Sequence, residues 1–486
     1  MLVSLDGTAK RLLEAFLSLF SPSADIGTRS PVRVARRWVP SLALVVVPLM
    51  ILSGCVSYRP AELPSHPRPD PSSTELATEA VRLGHARLDP LQIDLAGPLS
   101  PPQLGVVAVL LNPDLRSQRA RVGVAEAQAF DAGLFPDPQF SASLDRPQSA
   151  PMLVDALAAS LGLDTSAFYL RPQRLRNARA VERQTRLDLA WLEWQTGNQA
   201  ALLAARIQGL ESNLLLTREA EALSASILNR SLVALARGDL SATDVEPRRI
   251  AEADAADRLR VAERDLAAAR LELNALLGLS PATPVQLTRL DAPSPCLPPV
   301  ATLVDGALAQ RLDLQALRAG YEAQEATLQV AVLLQYPRLN LSLNAARDTG
   351  AVRTNGVAIG FDLPLWNRNR GQIEVQTATR EQLRSEYEAR LFATRADIAT
   401  LTSALDIGRR QRADLANQLV PLRASVAAFE SAAARGDISR ITAETARLSL
   451  LDKSIALAAL DQAMAEQTRA LQTAVGTPLE TFACAA

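Results

Sequence analysis

The chain has 486 residues, 48% of them hydrophobic, and is close to neutral, with 51 basic against 52 acidic residues. Its bases are nearly all arginines interleaved with Asp and Glu along helix-like segments, which describes solvated helix faces and argues against nucleic acid as a partner. Enzymatic chemistry, a metal or a cofactor finds no support: both histidines, His66 and His85, fall in a proline-rich region, and there is no phosphate-binding Gly-rich loop with Lys, no Cys pair at metal spacing and no nucleophile elbow.

Arg33, Arg36 and Arg37 precede an apolar run from Trp38 to Leu52 that ends in Leu52-Ser53-Gly54-Cys55. A basic flank, a short apolar stretch and small residues before a cut site describe a secretory signal too short to span a membrane. The segment resembles the bacterial lipoprotein signal, which implies removal of residues 1–54 and lipidation of Cys55, with Val56 and Ser57 resembling lipoproteins sent to the outer membrane. Cys296, in a proline-rich linker, and Cys484, near the C-terminus, form no disulfide framework and are read as bystanders, although the two could pair in an oxidising periplasm.

Residues 55–102 read as a lipidated N-terminus and extended Pro-rich tether. A first structural unit then occupies 103–280. Ser100 caps a helix from about Gln103, which breaks at Asn112-Pro113-Asp114-Leu115 and stops at Phe135-Pro136. A β-hairpin at about 138–170 alternates Phe140, Ala142 and Leu144 with Gln139, Ser141 and Ser143, and a helical hairpin covers about 172–278. The absence of proline between Pro172 and Pro247 predicts a helix of roughly 65 residues, roughly 95 Å long.

Residues 281–299 form a Pro-rich linker, and 300–478 repeat the plan, with a β-hairpin at about 337–365 and a helical hairpin at about 371–476; 479–486 is a tail. Leu161-Gly162-Leu163-Asp164 and Ile359-Gly360-Phe361-Asp362, the Ala236–Ser241 and Ala434–Ser439 turns, and Gly278 and Gly476 share an offset of 198 residues, which marks an internal duplication. Each half reads helix, strand, strand, long helix, tight turn, long helix.

In the second hairpin Leu339, Leu341, Leu343, Val357, Ile359 and Phe361 alternate with Arg338, Asn340, Ser342, Asn344 and glycines. Alone this describes either an amphipathic hairpin of a soluble sheet or membrane-barrel strands with an apolar exterior and a wet lumen. Its echo at the same place in the first repeat favours the barrel. The first set then faces lipid, and Arg338, Asn340, Ser342 and Asn344 line the lumen. Four strands cannot close a barrel, so several chains must pool them, and three would supply twelve. The helices agree with a ring, because Ile207, Leu210 and Leu214 make one seam and Leu216, Ala220, Leu223 and Ile227 another, giving neighbours on both sides; four-helix bundles also use two seams.

Asn112-Pro113-Asp114-Leu115-Arg116 with its Ala-rich helix and Phe135-Pro136, Leu363-Pro364-Leu365-Trp366-Asn367-Arg368-Asn369-Arg370-Gly371, and the paired Arg-Gly-Asp-aliphatic-Ser turns together resemble the TolC-like outer-membrane efflux family, over nearly all of residues 100–480. The resemblance implies a mainly α fold with membrane β: a homotrimer whose twelve-stranded β-barrel in the outer membrane continues into a long periplasmic α-helical barrel. It implies the exit duct of a tripartite efflux system, passively conducting substrate delivered by a periplasmic adaptor and an inner-membrane pump. Arg237, Gly238, Asp239, Leu240 and Ser241 and their counterparts Arg435, Gly436, Asp437, Ile438 and Ser439 become adaptor-docking tips, beyond their local role of ending one helix and capping the next. Asp244, Glu246 and Glu444 become candidates for an acidic periplasmic gate, against the alternative of surface carboxylates; Thr442 stands where the family often has an aspartate. The Asn367–Gly371 run resembles members serving heavy-metal pumps, and equally suits a strand-end turn with interface anchors. The alternative function is a periplasmic coiled-coil adaptor or scaffold lipoprotein, which would lack the two inserted strand pairs.

Overall fold

A computed structural model of the protein describes residues 58–66, 69–81, 91–148, 153–289 and 297–482. The signal segment, Cys55, His85, Cys296 and Cys484 lie outside the described residues. The chain divides into two compact units: residues 138–163 and 341–359, grouped with 1–68, and a helical unit of 69–137, 164–340 and 360–486.

The first unit is built on a four-stranded sheet in the order β1 (Gln139–Asp145), β2 (Ala156–Asp164), β3 (Leu339–Arg347) and β4 (Arg353–Phe361). β1 and β2 are antiparallel, and their register places Phe140 opposite Leu161, Ala142 opposite Ala159 and Leu144 opposite Leu157. Ser141 faces Ser160, with their hydroxyls 2.8 Å apart. The period-two pattern of the sequence thus becomes one apolar face and one of small polar residues. The loops at one end are tied together, Val154 N–H donating to the Thr349 carbonyl at 3.0 Å and Arg347 to the Asp155 carbonyl at 3.0 Å. Every residue of β1 and of β4 is exposed, so within one chain neither edge strand is covered on either side. β3 starts at Leu339, so Arg338 precedes the strand rather than belonging to it; it lies 3.8 Å from Asp362.

The helical unit contains α1 (Ser73–Val81), α2 (Pro101–Leu111), α3 (Pro113–Ala132), α4 (Ala167–Ala236), α5 (Ala242–Leu277), α6 (Val300–Gln310), α7 (Leu312–Leu333), α8 (Arg370–Arg435) and α9 (Arg440–Val475), with a short 3-10 turn at Leu479–Thr481. α4 is 70 residues long and begins before Pro172, so the helix runs through that proline instead of starting after it. The long helices lie side by side in the order α5, α4, α9, α8. Ala262, Leu266, Ala269 and Leu273 of α5 bury against the seam of Ile207, Leu210 and Leu214 on α4, and Ile398, Leu405, Met464 and Leu471 form the core of the second repeat.

Two joints extend the 36-residue helices. Asn112 begins α3 at the C-terminal end of α5: its side-chain oxygen accepts from the Asp114 and Leu115 N–H groups at 2.9 and 3.0 Å, while its amide donates to the Leu276 carbonyl at 2.9 Å. One residue therefore satisfies orphan groups of two helix ends. At the second joint, Arg311 donates to the Ala474 carbonyl of α9 at 2.7 Å and to both Asp313 carboxylate oxygens at 2.9 and 2.7 Å, its guanidinium stacked 4.6 Å from the Trp191 ring centre. α3 and α7 both pack on α4, and α7 also packs on α8.

The tether expectation for 55–102 requires correction. Prolines dominate only to Pro71; beyond it Leu76, Ala80, Ile93 and Leu99 are buried in the first-repeat core. Asp70 accepts from the Ser280 N–H at 2.9 Å and the Thr283 hydroxyl at 2.5 Å, and Leu99 pairs with the inter-repeat linker through Gln286 and Thr288, both at 2.9 Å. Apolar residues four apart gave this segment a helical face that its proline content obscured.

Candidate functional site

Each helical hairpin ends in a tip whose backbone follows from its sequence. Gly238 has φ +80° and Gly436 φ +85°, the left-handed conformation that ends a helix without Cβ strain. Asp239 N–H then reaches back to the Ala234 carbonyl at 2.9 Å, and Asp437 N–H to the Ala432 carbonyl at 2.9 Å, so the same cap is built twice. An added Cβ at either glycine would meet nothing within 4 Å, because the tips are open. Arg237, Asp239 and Ser241, like Arg435, Asp437 and Ser439, are exposed, while Leu240 and Ile438 are half-buried.

The helix starts beyond the tips differ. Ser241 accepts from the Asp244 N–H at 3.3 Å and the Asp244 carboxylate accepts from the Ser241 N–H at 3.0 Å and hydroxyl at 2.6 Å, a closed capping box. These bonds from the Ser241 hydroxyl and backbone hold the Asp244 carboxyl below its ordinary range. Ser439 accepts from the Thr442 N–H at 3.3 Å, but Thr442 carries no carboxylate to answer with. Arg435 instead pairs with Asp437 at 2.8 Å across the second tip.

The three carboxylates read as gate candidates are each held locally. Asp244 closes its capping box, Glu246 lies 3.5 Å from Arg249 one turn on, and Glu444 pairs at 3.1 Å with Arg230 of α4. Glu444 is only 16% exposed and one of its oxygens lacks a partner, so it sits in the seam joining the two helical hairpins rather than on a free face. Sequence reasoning missed Arg230 and also Arg447, which pairs with Glu219 of α4 at 2.6 Å and lies 3.8 Å from Glu430 of α8. Arginines spread singly along helices give no sequence signal for partners some two hundred residues away.

Among the described residues no group of three or more His, Cys, Asp or Glu side chains could hold a metal, and no helix is long and apolar enough to cross a membrane.

Residues 303–477 match the family model described as outer membrane efflux protein. The cobalt-zinc-cadmium resistance protein CzcC of Cupriavidus metallidurans is 26% identical over 341 residues, covering 68% of this chain and 78% of that protein. The fold is that of the outer-membrane channel OprN, with a TM-score of 0.66 at 17% identity over 88% of this chain and all of that one. The Campylobacter jejuni CmeC outer membrane channel gives 0.65 at 15% identity, over 77% of this chain and 85% of that one.

Proposed function

We propose, from the premise that this chain is a TolC-like outer-membrane efflux protein, that three copies close into one continuous duct which passively passes cargo from a periplasmic adaptor and inner-membrane pump to the cell exterior. The protein is an outer-membrane efflux channel that extends into the periplasm, and the coiled-coil adaptor alternative is not favoured. Relatives sharing this fold are channels.

The observation that supports assembly with further copies is a matched pair of open edges, and three copies of four strands make the twelve expected of the barrel. The four strands run β1 to β4 with β1 and β4 unpaired on their outer sides, and the four long helices end in α5 and α8. Unpaired strand edges are not tolerated in lipid, so β4 of one copy must meet β1 of the next. Apolar side chains stand exposed on both outer helices, Phe392 and Val420 on α8 and Ile250 and Leu271 on α5. A copy of the same chain carries a complementary edge for the sheet and one for the helices.

In that assembly the two tips dock the adaptor, Leu339, Leu341 and Leu343 face lipid, and Asn340, Ser342 and Asn344 face the lumen, with Arg338 at its periplasmic rim. Asp244 and Glu246 remain the gate candidates, and Glu444 acts through its seam with Arg230. A lipid on Cys55 supplies a second anchor. The name of the Cupriavidus relative puts divalent metal cations first among candidate cargoes. Single-channel recording of the purified protein in planar bilayers tests the channel: discrete conductance steps from a heat-modifiable oligomer are expected, and extraction as a soluble monomer refutes it. Radiolabelled palmitate on the wild type, absent from Cys55→Ala, tests the anchor.

A further inference from the structure

The first turns of α4 carry a concentration of arginine that the channel function does not use. Arg171, Arg174, Arg176, Arg179, Arg183 and Arg186 fall within sixteen positions, accompanied by one acid, Glu182. The positions 198 residues later in the second repeat are Asn369, Gln372, Glu374, Thr377, Glu381 and Arg384, so the duplicated plan does not require the charge.

Helical phase assigns most of these arginines to one face. At about 3.6 residues per turn, Arg179 and Gly197 are five turns apart and share a direction, with Arg176, Arg183 and Arg186 in the flanking positions. Gly197 is where α2 packs, so closely that a Cβ on Gly105 would lie 3.3 Å from the Gly197 carbonyl oxygen. In the duct assembly proposed above a helix on the inner side would obstruct the passage, so that assembly puts α2 and the arginine stripe on the outside. Asp188, nine residues from Arg179, points the opposite way.

On this face a groove of about 570 Å³ opens between α3 and α4, lined by Phe130, Leu134 and Leu175 and by the charged groups Arg171, Arg179, Arg186, Glu126 and Glu182. Arg186 neutralises both acids, at 2.8 Å each. Arg171 donates through Nε to the Gly133 carbonyl at 2.7 Å and lies 4.3 Å over the Phe135 ring, which fixes the guanidinium. Arg179 is exposed and has no ion-pair partner among the described residues. Phe130 is 72% exposed and Leu134 52%, so apolar surface adjoins the unspent positive charge. The chain passes from the groove's rim at Leu134 to the first strand at Gln139 in five residues, a reach of at most roughly 18 Å.

We propose that this groove binds an anionic phospholipid of the periplasmic leaflet, its phosphodiester held by Arg179 and Arg171 and the start of an acyl chain laid against Phe130 and Leu134. The inference rests on the outer-membrane channel reading. A single fixed phosphate takes up the free guanidinium charge through charge-assisted hydrogen bonds, and the apolar rim distinguishes a lipid from a free anion. Arg183, tied to Glu322, and Arg176, which donates to Gln329 at 3.3 Å, are engaged with α7 and lie outside the groove lining.

The test uses the full-length protein in detergent micelles doped with dioleoyl phosphatidylglycerol, with dioleoyl phosphatidylcholine, or with inorganic phosphate at equal concentration, reading the thermal unfolding midpoint. Phosphatidylglycerol is expected to raise the midpoint well beyond the other two, with half-saturation shifted about three- to tenfold upward in Arg179→Gln and restored in Arg179→Lys. Equal responses to the two lipids, or an unchanged phosphatidylglycerol response in Arg179→Gln, overturn the proposal. Stabilisation by inorganic phosphate alone replaces the lipid with a soluble anion and also overturns it. Arg179 is free and exposed, so its replacement leaves the fold intact. Membrane fractionation of the same cells separates the two failures: absence from the outer membrane refutes the channel, whereas a correctly placed channel indifferent to phosphatidylglycerol refutes only the lipid site.

Discussion

Asn112 and Arg311 do the same work at the two helix joints, Asn112 donating to the Leu276 carbonyl at 2.9 Å and Arg311 to the Ala474 carbonyl at 2.7 Å, acceptors that occupy equivalent places in the duplicated helices. The two solutions differ in what they risk. Asn112 is a neutral clip that also caps α3, so Asn112→Ala removes an N-cap and a carbonyl partner together and should cost about 1–2 kcal/mol. Arg311 is 5% exposed and Asp313 7%, so Arg311→Met leaves a buried carboxylate with only Arg390, 4.0 Å away, in place of its two-bond partner, at a cost of up to about 3–5 kcal/mol. Arg311→Met combined with Asp313→Leu should recover much of that loss. Chemical denaturation of the detergent-solubilised protein ranks the three variants.

Asp188 lies on the opposite face of α4 from the arginine stripe, in a groove shared with Val124, Leu189, Leu192 and Arg121. Although Asp188 is exposed, the groove walls partly desolvate its carboxyl and raise it above the ordinary range, and the nearby Asp313 charge adds to the effect. A carboxyl raised in the folded state contributes stability below its unfolded value and loses it as pH rises through the folded one. Asp188→Asn should therefore be more stable than wild type at neutral pH and show a flatter fall from the upper carboxylate range to neutrality. Unfolding midpoints across that range provide the check, and a wild-type slope retained in the variant contradicts the assignment.

Gly278 and Gly238 both adopt positive φ, at +67° and +80°, yet their replacements should differ. At Gly238 a Cβ meets open space, and Gly238→Ala costs only the left-handed strain of about 1–2 kcal/mol. At Gly278 a Cβ would lie 2.6 Å from the Leu111 carbonyl oxygen, a backbone atom held by the α2–α3 joint, so Gly278→Ala must cost more and loosen that joint. Hydrogen exchange around residues 108–116 should accelerate in Gly278→Ala and remain unchanged in Gly238→Ala.

These contrasts explain what the sequence could disclose. Alternation placed all four strands, and the Arg-Gly-Asp turns fell at the tips because a helix reversal needs a left-handed residue and a cap whatever surrounds it. The two joints are legible as counterparts, Asn112-Pro113-Asp114-Leu115 against Arg311-Leu312-Asp313-Leu314, but the contacts they make are not. Asn112 and Arg311 stand 199 residues apart while their acceptors stand 198 apart, and one uses an amide where the other uses a guanidinium, so residue type does not advertise the shared task. The buried part of residues 69–99 was masked by the prolines before it, and the Arg230 and Glu444 contact depends on which helices become neighbours, which only packing decides.

The exposed apolar side chains of α8 give the assembly a direct test. Phe392 is 73% exposed and Val420 66%, and no described residue of the same chain covers them. A glutamate at either place costs the single chain little, since nothing there is desolvated, but buries a charge once a second copy closes on the edge. Phe392→Glu and Val420→Glu should leave the helical content unchanged while shifting the protein from oligomer to monomer in size-exclusion chromatography with light scattering. An intact oligomer in both variants would place the contact elsewhere.

The unequal caps beyond the tips predict which hairpin opens first. Ser241 and Asp244 exchange two kinds of hydrogen bond, whereas Ser439 faces Thr442 with one side of the exchange missing. The α9 start at Arg440 should therefore exchange its amide hydrogens faster than the α5 start at Ala242, and Thr442→Asp should slow it by completing a second capping box. Acid should reverse the ranking's cause. Asp244 is held below its ordinary value, so its contribution is present above the unfolded carboxylate range and disappears as pH falls through the lowered one. Lowering the pH should bring the first tip's exchange rate toward that of the second while leaving the second unchanged, after correction for intrinsic exchange. Two tips that exchange alike at neutral pH, or a first tip insensitive to acid, would show that the carboxylate does not set tip stability.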